Sequence, residues 1–314
     1  MNDYLSEYKG KNILITGGAG FIGSHLVDKL APENEVFVLD NLFSGSLANL
    51  EKSNSRITFI KGDVCDKGLV EDIVAKVDFI FHLAADVGNV RSIKDPVANM
   101  EVNVRGTLNL LEACLSSNIQ RFVYSSSAAI YGEARYLPID EDHPLNPESP
   151  YAVSKLAAEK YVFAFYKVHG LPTTSLRYFN VYGPRQEGSE YGNVIPIFLR
   201  RIGEGKPLII FGDGNQTRDF VFVEDIVQAN ILAATQPQAI GGIFNIATGK
   251  KTSVNELAEL VEKITGKNTQ IIHNKPRAGE VRDSQANLEK AGKTLEYKPQ
   301  ISLEEGLLLI LKEE

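Results

Sequence analysis

The sequence predicts an α/β fold, a doubly wound parallel sheet that carries a second, smaller lobe. Three observations predict it. Short β-branched apolar runs alternate with longer helical patterns through the first half of the chain. The runs are apolar almost throughout, as strands covered on both faces are, and do not alternate apolar with polar. The first run opens into a glycine-rich turn that leads directly into a helix.

In order, the strands are read at "NILITG" (12–17), "EVFVLD" (35–40), "ITFIKGD" (57–63), "DFIFHLAA" (78–85) and "RFVYSSS" (121–127). The clearest helix between them is "VNVRGTLNLLEACLSS", where Val104, Leu108, Leu111 and Leu115 recur at helical spacing and predict the buried face. Ser149 reads as an N-cap with Pro150 as first helical residue, so a helix starts there. Past residue 177 the pattern breaks: "YFNVYGPRQEGSEYGN" reads as a long functional loop. "RDFVFVEDIVQANILAA" and "GGIFNIA" return to the sheet, and "SVNELAELVEKITG" opens a small helical lobe. The expected division is a sheet domain from 1–176 with 219–247, a lobe from 177–218 with 248–314, and a cleft between them.

With 314 residues the chain can bury a sizeable core. Its net charge of −7, without a run of Lys or Arg, argues against nucleic acid or an anionic membrane as main partner. Cys65 and Cys114 lie far apart and read as free buried thiols in a reducing, cytoplasmic setting. The polar amino-terminal stretch lacks a signal-like apolar segment, and no stretch approaches a membrane span. The histidines are scattered singly, so no metal site is expected.

The glycine-rich turn carries the first chemistry. Gly17, Gly20 and Gly23 follow a strand and open a helix whose first residues are Phe21 and Ile22. Glycines there let backbone N–H groups approach a pyrophosphate at a helix N-terminus. Asp40 stands at the end of the next strand, 20 residues past Gly20. A carboxylate at that point accepts both hydroxyls of an adenosine ribose and repels a 2′-phosphate. Asn41 follows with no arginine close by, which favours NAD over NADP. An ordinary αβ turn with a strand-end aspartate is the plainer alternative.

"SPYAVSK" raises the second question. Tyr151 is the only one of twelve tyrosines followed four positions later by lysine, Lys155. On a helix the two share a face, though a surface pair reads equally well from these two residues alone. A phenol of pKa about 10 is a poor base at neutral pH, and a neighbouring ammonium and a positive nicotinamide would both favour the phenolate, so that Lys155 brings Tyr151 into working range.

The Gly-x-x-Gly-x-x-Gly spacing and the Tyr-x-x-x-Lys pair together resemble the extended short-chain dehydrogenase/reductase family, over nearly the whole chain. The resemblance implies a Rossmann sheet, bound NAD and the catalytic set Ser127, Tyr151 and Lys155, with Ser127 lying 24 residues before Tyr151. Lys155 would also anchor the nicotinamide ribose. "GDV" would contact adenine through Asp63 and Val64. Leu83, Ala84 and Ala85 of "HLAA" would line the cofactor, with Tyr178 beside it. Asn103 of "NVRGT" would brace the sheet and the cofactor loop or touch the cofactor directly.

"YGEARYLPIDEDHPLNPESPYAVSK", "LRYFNVYGPRQ", "FGDGNQTRDFVFVEDI" and "PRAGEVRDS" resemble the nucleotide-sugar branch of that family, and the UDP-sugar 4-epimerases most. The resemblance implies that Asn180 and Asn193 contact the nucleotide sugar, that Arg218 and Arg277 clamp its diphosphate, and that Glu280 binds its ribose. Related dehydratases and decarboxylases carry acids just after the strand-end serine or threonine, where this chain has Ala128 and Ala129. That leaves removal and return of hydride at C4 through a 4-keto sugar. Ser284 falls where branch members gate space near the sugar's C2, and a small residue resembles those that admit N-acetyl groups. An ordinary loop serine is the alternative. UDP-GlcNAc/UDP-GalNAc with UDP-Glc/UDP-Gal is the expected substrate set. UDP-glucuronate is the runner-up, with Arg185 as candidate cation, and a non-catalytic NAD-binding regulator is the reading from another class. The resemblance also implies a homodimer through a four-helix bundle of the helix near 100–118 and the one after Tyr151.

Overall fold

A computed structural model describes residues 9–186, 193–276 and 281–313; Arg277 and Glu280 lie outside the described residues. The first half alternates β1 (Asn12–Thr16), α1 (Phe21–Leu30), β2 (Glu35–Asp40), β3 (Ile57–Lys61), α2 (Lys67–Val74) and β4 (Phe79–His82). A long helical stretch follows: α3 (Asn89–Lys94), α4 (Pro96–Met100), a π turn at Glu101–Arg105 and α5 (Gly106–Cys114). Then come β5 (Arg121–Ser127), α6 (Pro150–His169) and β6 (Thr173–Tyr178). The second half adds β7 (Asn180–Tyr182), α7 (Val194–Gly203), β8 (Leu208–Phe211), β9 (Thr217–Arg218), β10 (Phe220–Phe222), α8 (Val223–Thr235) and β11 (Ile243–Ile246). The chain closes with β12 (Thr252–Ser253), α9 (Val254–Thr265), β13 (Ile271–Asn274), α10 (Glu289–Leu295) and α11 (Leu303–Glu313).

Seven strands form one sheet in the order β11-β6-β5-β4-β1-β2-β3, and every pairing in it is parallel. This is the doubly wound architecture that the apolar strand runs predict. The order reverses between β1 and β4, so a crevice opens at the carboxyl ends of those strands, where such sheets bind ligands. Side chains alternate across the sheet. Ile13 and Ile15 join one core with Leu26 and Val27 of α1 and Ile226 of α8; Leu14 joins the other with Val70 of α2, Leu110 of α5 and Val162 of α6. The first of these cores also takes in Phe198, Leu257, Leu295 and Leu307, so the second half of the chain packs continuously onto the sheet.

Ser149 and Pro150 open α6 as their types predict, the Ser149 hydroxyl accepting the Ala152 N–H at 3.2 Å. Three expectations need correction. The buried face of the helix near 100–118 is Asn103, Thr107, Leu110, Leu111 and Cys114, while Leu115 is 46% exposed. Leu115 is the C-cap of α5, where the helix ends and its side chain meets solvent. The stretch read as a loop after residue 177 begins as strand β7, paired in parallel with β10. Cys114 is buried as expected, but Cys65 is half-buried, and its thiol donates to the Glu101 carbonyl at 3.3 Å.

Candidate functional site

The glycine turn sits at the carboxyl end of β1. Gly17 has φ +69°, and a Cβ on it would lie 2.7 Å from the Ala84 nitrogen. A Cβ on Gly23 would lie 2.2 Å from the Gly17 carbonyl oxygen, so neither position accepts a side chain. Gly20 is the N-cap of α1 and no side chain caps it. The N–H groups of Phe21 and Ile22 therefore stand at the end of the helix dipole, a seat for an anion. Asp40 ends β2, and its carboxylate accepts the Ala19 N–H at 2.9 Å and the Leu42 N–H at 2.8 Å, tying that strand end to the turn. Asn41 donates from its amide to Asp63 at 2.8 Å. Burial pushes the Asp63 carboxyl up, but the bonds from the Cys65 N–H and the Asn41 amide hold it below its ordinary value. The uncapped helix start, the side-chain-free turn and the strand-end acid fit a dinucleotide. The Val64 side chain packs in the core against Gly106, so a contact there would be through its backbone.

Beside the turn, β4 ends on a buried chain of hydrogen bonds that the sequence reading missed. Thr107 donates to the Asn103 carbonyl at 2.7 Å, His82 Nε2 meets the Thr107 hydroxyl at 2.9 Å, and Thr16 meets His82 Nδ1 at 2.7 Å. Burial, reinforced by the Lys155 ammonium, pulls the His82 pKa down to about 3, so the ring is neutral at working pH. Leu83, Ala84 and Ala85 are half-buried along the crevice, with the Ala84 N–H donating to Thr16 at 3.3 Å. Asn103 braces this region: its side-chain Oδ1 accepts the Asp86 N–H at 2.8 Å, and its side-chain amide donates to the Asp86 carbonyl, Asn99 and Ser154. The Tyr178 hydroxyl donates to Asn230 on α8 at 3.0 Å.

The end of β5 and the start of α6 bring Ser127, Tyr151 and Lys155 together. Lys155 is buried, its ammonium donating to the Ser125 carbonyl at 2.7 Å and lying 5.0 Å over the Tyr124 ring. Burial lowers its pKa to about 7. Tyr151 is half-buried as a residue, while desolvation of its phenol raises the pKa; a hydrogen bond with Ser127 pulls it back, and the Asp86 carboxylate pushes it up again. In the protein alone burial dominates the Tyr151 phenol, and the expectation joins the Lys155 ammonium with a positive nicotinamide in favouring the phenolate.

On the far side of the crevice Asn180 and Asn193 line one small pocket with Tyr182, Val194 and Phe220, at the N-terminus of α7. Arg218 is 9% exposed, with Nη1 donating to the Thr217 carbonyl at 2.8 Å. Ser284 is 7% exposed, on a strap held by the Thr217 N–H on the Arg282 carbonyl at 3.0 Å and by the Ile139 N–H on the Gln285 carbonyl at 2.7 Å. Asp219, unremarked in the sequence, gathers this region by accepting from Thr248, Gly249 and Ala286. Arg185 turns toward α1 instead, donating to Asp28 at 2.6 Å.

This geometry has known counterparts. The model of the NAD dependent epimerase/dehydratase family matches residues 13–247. The UDP-glucose 4-epimerase of Mycolicibacterium smegmatis is 38% identical over 299 residues, 94% of this chain and 95% of that protein. The structure of UDP-N-acetylglucosamine 4-epimerase from Methanobrevibacter ruminantium M1, in complex with UDP-N-acetylmuramic acid, superposes with TM-score 0.93 at 38% identity, covering 97% of this chain and 98% of that one. That of UDP-glucose 4-epimerase from Thermotoga maritima with UDP-glucose does so with TM-score 0.92 at 41% identity, covering 96% and 97%. The chain belongs to the NAD dependent epimerase/dehydratase family, and NAD is its cofactor.

Proposed function

We propose that the protein interconverts the C4 epimers of a UDP-hexose. The observation that carries this reading is the corner where Ser127 and Tyr151 hydrogen-bond beside buried Lys155, followed by Ala128 and Ala129. Tyr151 takes the proton from the C4 hydroxyl and returns it, and Ser127 holds that oxygen. Lys155 keeps positive charge beside the phenolate and holds the nicotinamide ribose. NAD, when bound, supplies a reversible hydride acceptor. The two alanines add neither acid nor base, so these side chains move a proton at one oxygen only. That suits epimerisation better than loss of water or of carbon dioxide. Gly17, Gly20, Phe21, Ile22, Gly23, Asp40 and the backbone of Val64 would hold the dinucleotide, and Asn180, Asn193 and Arg218 the UDP moiety.

The sugar is read from Ser284. A small buried side chain on the strap leaves room for a C2 N-acetyl group, and the similarity to a UDP-N-acetylglucosamine 4-epimerase supports the same reading. UDP-Glc and UDP-Gal are smaller and fit as well. The glucuronate alternative loses its candidate cation, because Arg185 is already paired with Asp28 on α1. A homodimer fits the exposed Val97, Met100, Val153, Tyr161 and Val168 on α4 and α6.

The test is epimerisation by the purified protein without added NAD, with UDP-GlcNAc, UDP-Glc and UDP-GlcA supplied separately. Conversion of UDP-GlcNAc and UDP-Glc is expected. Conversion of UDP-Glc alone would sink the Ser284 argument, and turnover of none, in protein that still carries NAD, would hand the case to another nucleotide-sugar activity or to the NAD-binding regulator.

A further inference from the structure

Glu159 lies four residues after Lys155 and eight after Tyr151, on the same face of α6, and the reaction proposed above gives it no role. It is 0% exposed and carries a buried ion pair, with Arg177 Nη2 at 2.7 Å from one carboxylate oxygen and Nε at 3.0 Å from the other. The second oxygen also accepts the Ser126 hydroxyl at 2.6 Å. Arg177 sits directly opposite Ser126 in the β5–β6 register, so strand, neighbouring strand and helix meet at one carboxylate. The remaining guanidinium nitrogen donates to the Tyr131 hydroxyl at 2.7 Å and to the Glu141 carbonyl at 3.0 Å.

The last four residues of β5 each bond to α6. The Tyr124 hydroxyl reaches the Lys155 carbonyl at 3.5 Å, the Ser125 carbonyl accepts from the Lys155 ammonium, Ser126 donates to Glu159, and Ser127 meets Tyr151. The last contact of this series is the catalytic one. Apolar packing of α6 on the sheet resists separation but is non-directional, and so resists sliding poorly. Charge-assisted hydrogen bonds are directional and fix register. A buried ion pair typically adds little net stability over apolar residues of similar size, so its presence here calls for another explanation.

We propose that Glu159 is a positioning residue: by holding Ser126 and Arg177 on one carboxylate it fixes the end of β5 along α6, so that Ser127 faces Tyr151. The inference rests on the epimerase reading for its consequence in turnover but not for its effect on the phenol.

Two variants test it in the NAD-loaded protein. Ser126→Ala cuts the arm toward Ser127 and leaves the ion pair intact. Glu159→Leu with Arg177→Met removes both charges together, so no lone buried charge remains. The first readout is the titration of Tyr151 by NMR of ring-labelled tyrosine, its signal identified by its loss in Tyr151→Phe. In both variants it is expected to move up by about half a pH unit or more as the Ser127 bond loosens. Melting temperature is expected to hold in Ser126→Ala, and Ser126→Thr to restore the wild-type titration. The second readout is kcat for UDP-hexose, expected to fall about tenfold with KM unchanged, since small misplacements in a reacting pair are costly. An unmoved Tyr151 titration in both variants overturns the positioning role, whatever the turnover. A shifted titration in a protein that converts no UDP-hexose supports the positioning role and sinks the substrate reading alone.

Discussion

The two walls of the crevice differ in where their ion pairs lie. The β5–α6 wall rests on buried groups: Lys155, Glu159, Arg177 and Ser126 are each 3% exposed or less, and each bonds across elements. The strap wall carries its visible ion pair at the surface, Arg282 and Asp213 meeting at 2.9 Å with side chains 53% and 50% exposed. A dry wall strengthens every charge near the reacting oxygen, whereas a wet wall lets charges be screened and re-formed. The first suits chemistry and the second suits admitting and releasing a nucleotide sugar. Lesions in the first should appear in kcat and its pH profile, and lesions in the second in KM.

The largest effect expected is at Tyr151. Tyr151→Phe keeps the ring's packing and removes the proton carrier, so kcat should fall by roughly 10²–10⁴ while NAD remains bound. Stopped chemistry with retained NAD absorbance is the check, and a loss confined to KM would break the comparison.

Lys155→Met should follow, with kcat down about a hundredfold, and it carries a stability signature. Folding lowers the Lys155 pKa to about 7 from the ordinary lysine value. Between those two values the unfolded chain binds more protons than the folded one, so stability rises with pH there. The cost of burying the charge is complete below about pH 7 and vanishes above the unfolded value. Removing the ammonium should therefore stabilise the cofactor-free protein at pH 6 by roughly 4 kcal/mol less the lost bond to Ser125, and by nothing near pH 11. Denaturant melts at the two pH values measure it. A variant equally or less stable at pH 6 would contradict the dry wall.

How much of this was legible beforehand differs between the walls. Continuous apolar runs are enough to read β2 and β5 to the residue, and Ser149-Pro150 to start α6. Tyr151, Lys155 and Ser127 do meet, because helical spacing and a strand end are local properties. The Glu159–Arg177 pair was illegible, since its partners are 18 residues apart and a lone charge reads as surface; the one available signal was that Glu159 repeats the Tyr151–Lys155 spacing. Motif resemblance left Asn103 open between brace and cofactor contact, because it says nothing of where a polar group is satisfied. Helical spacing likewise does not show that α5 ends at Cys114, so Leu115 was read as part of the buried face.

A smaller effect separates charge from contact on the dry wall. The Asp86 carboxylate raises the Tyr151 pKa while bonding Arg91 at 3.2 Å and Asn99 at 3.0 Å. Asp86→Asn keeps one side-chain acceptor, for either Arg91 or Asn99, and leaves the backbone bond to Asn103. The acid limb of the kcat profile should then move to lower pH, by about half a unit. A shift in the other direction would mean that Asp86 acts through structure rather than charge.

The smallest effect tests the wet wall. Arg282→Ala removes an exposed guanidinium, but the strap does not depend on it. The Arg282 N–H donates to Glu133 at 2.8 Å and its carbonyl accepts the Thr217 N–H at 3.0 Å, so the backbone stays where it is. Exposed ion pairs of this kind add little to stability and fade with salt. Melting temperature and the pH profile of kcat should match the wild type, and KM for the nucleotide sugar should change by about threefold or less. Raising ionic strength in the wild type should change KM by a similar amount. A large fall in kcat from this substitution would mean that the strap reaches the chemistry after all, and that the two walls are one mechanical unit.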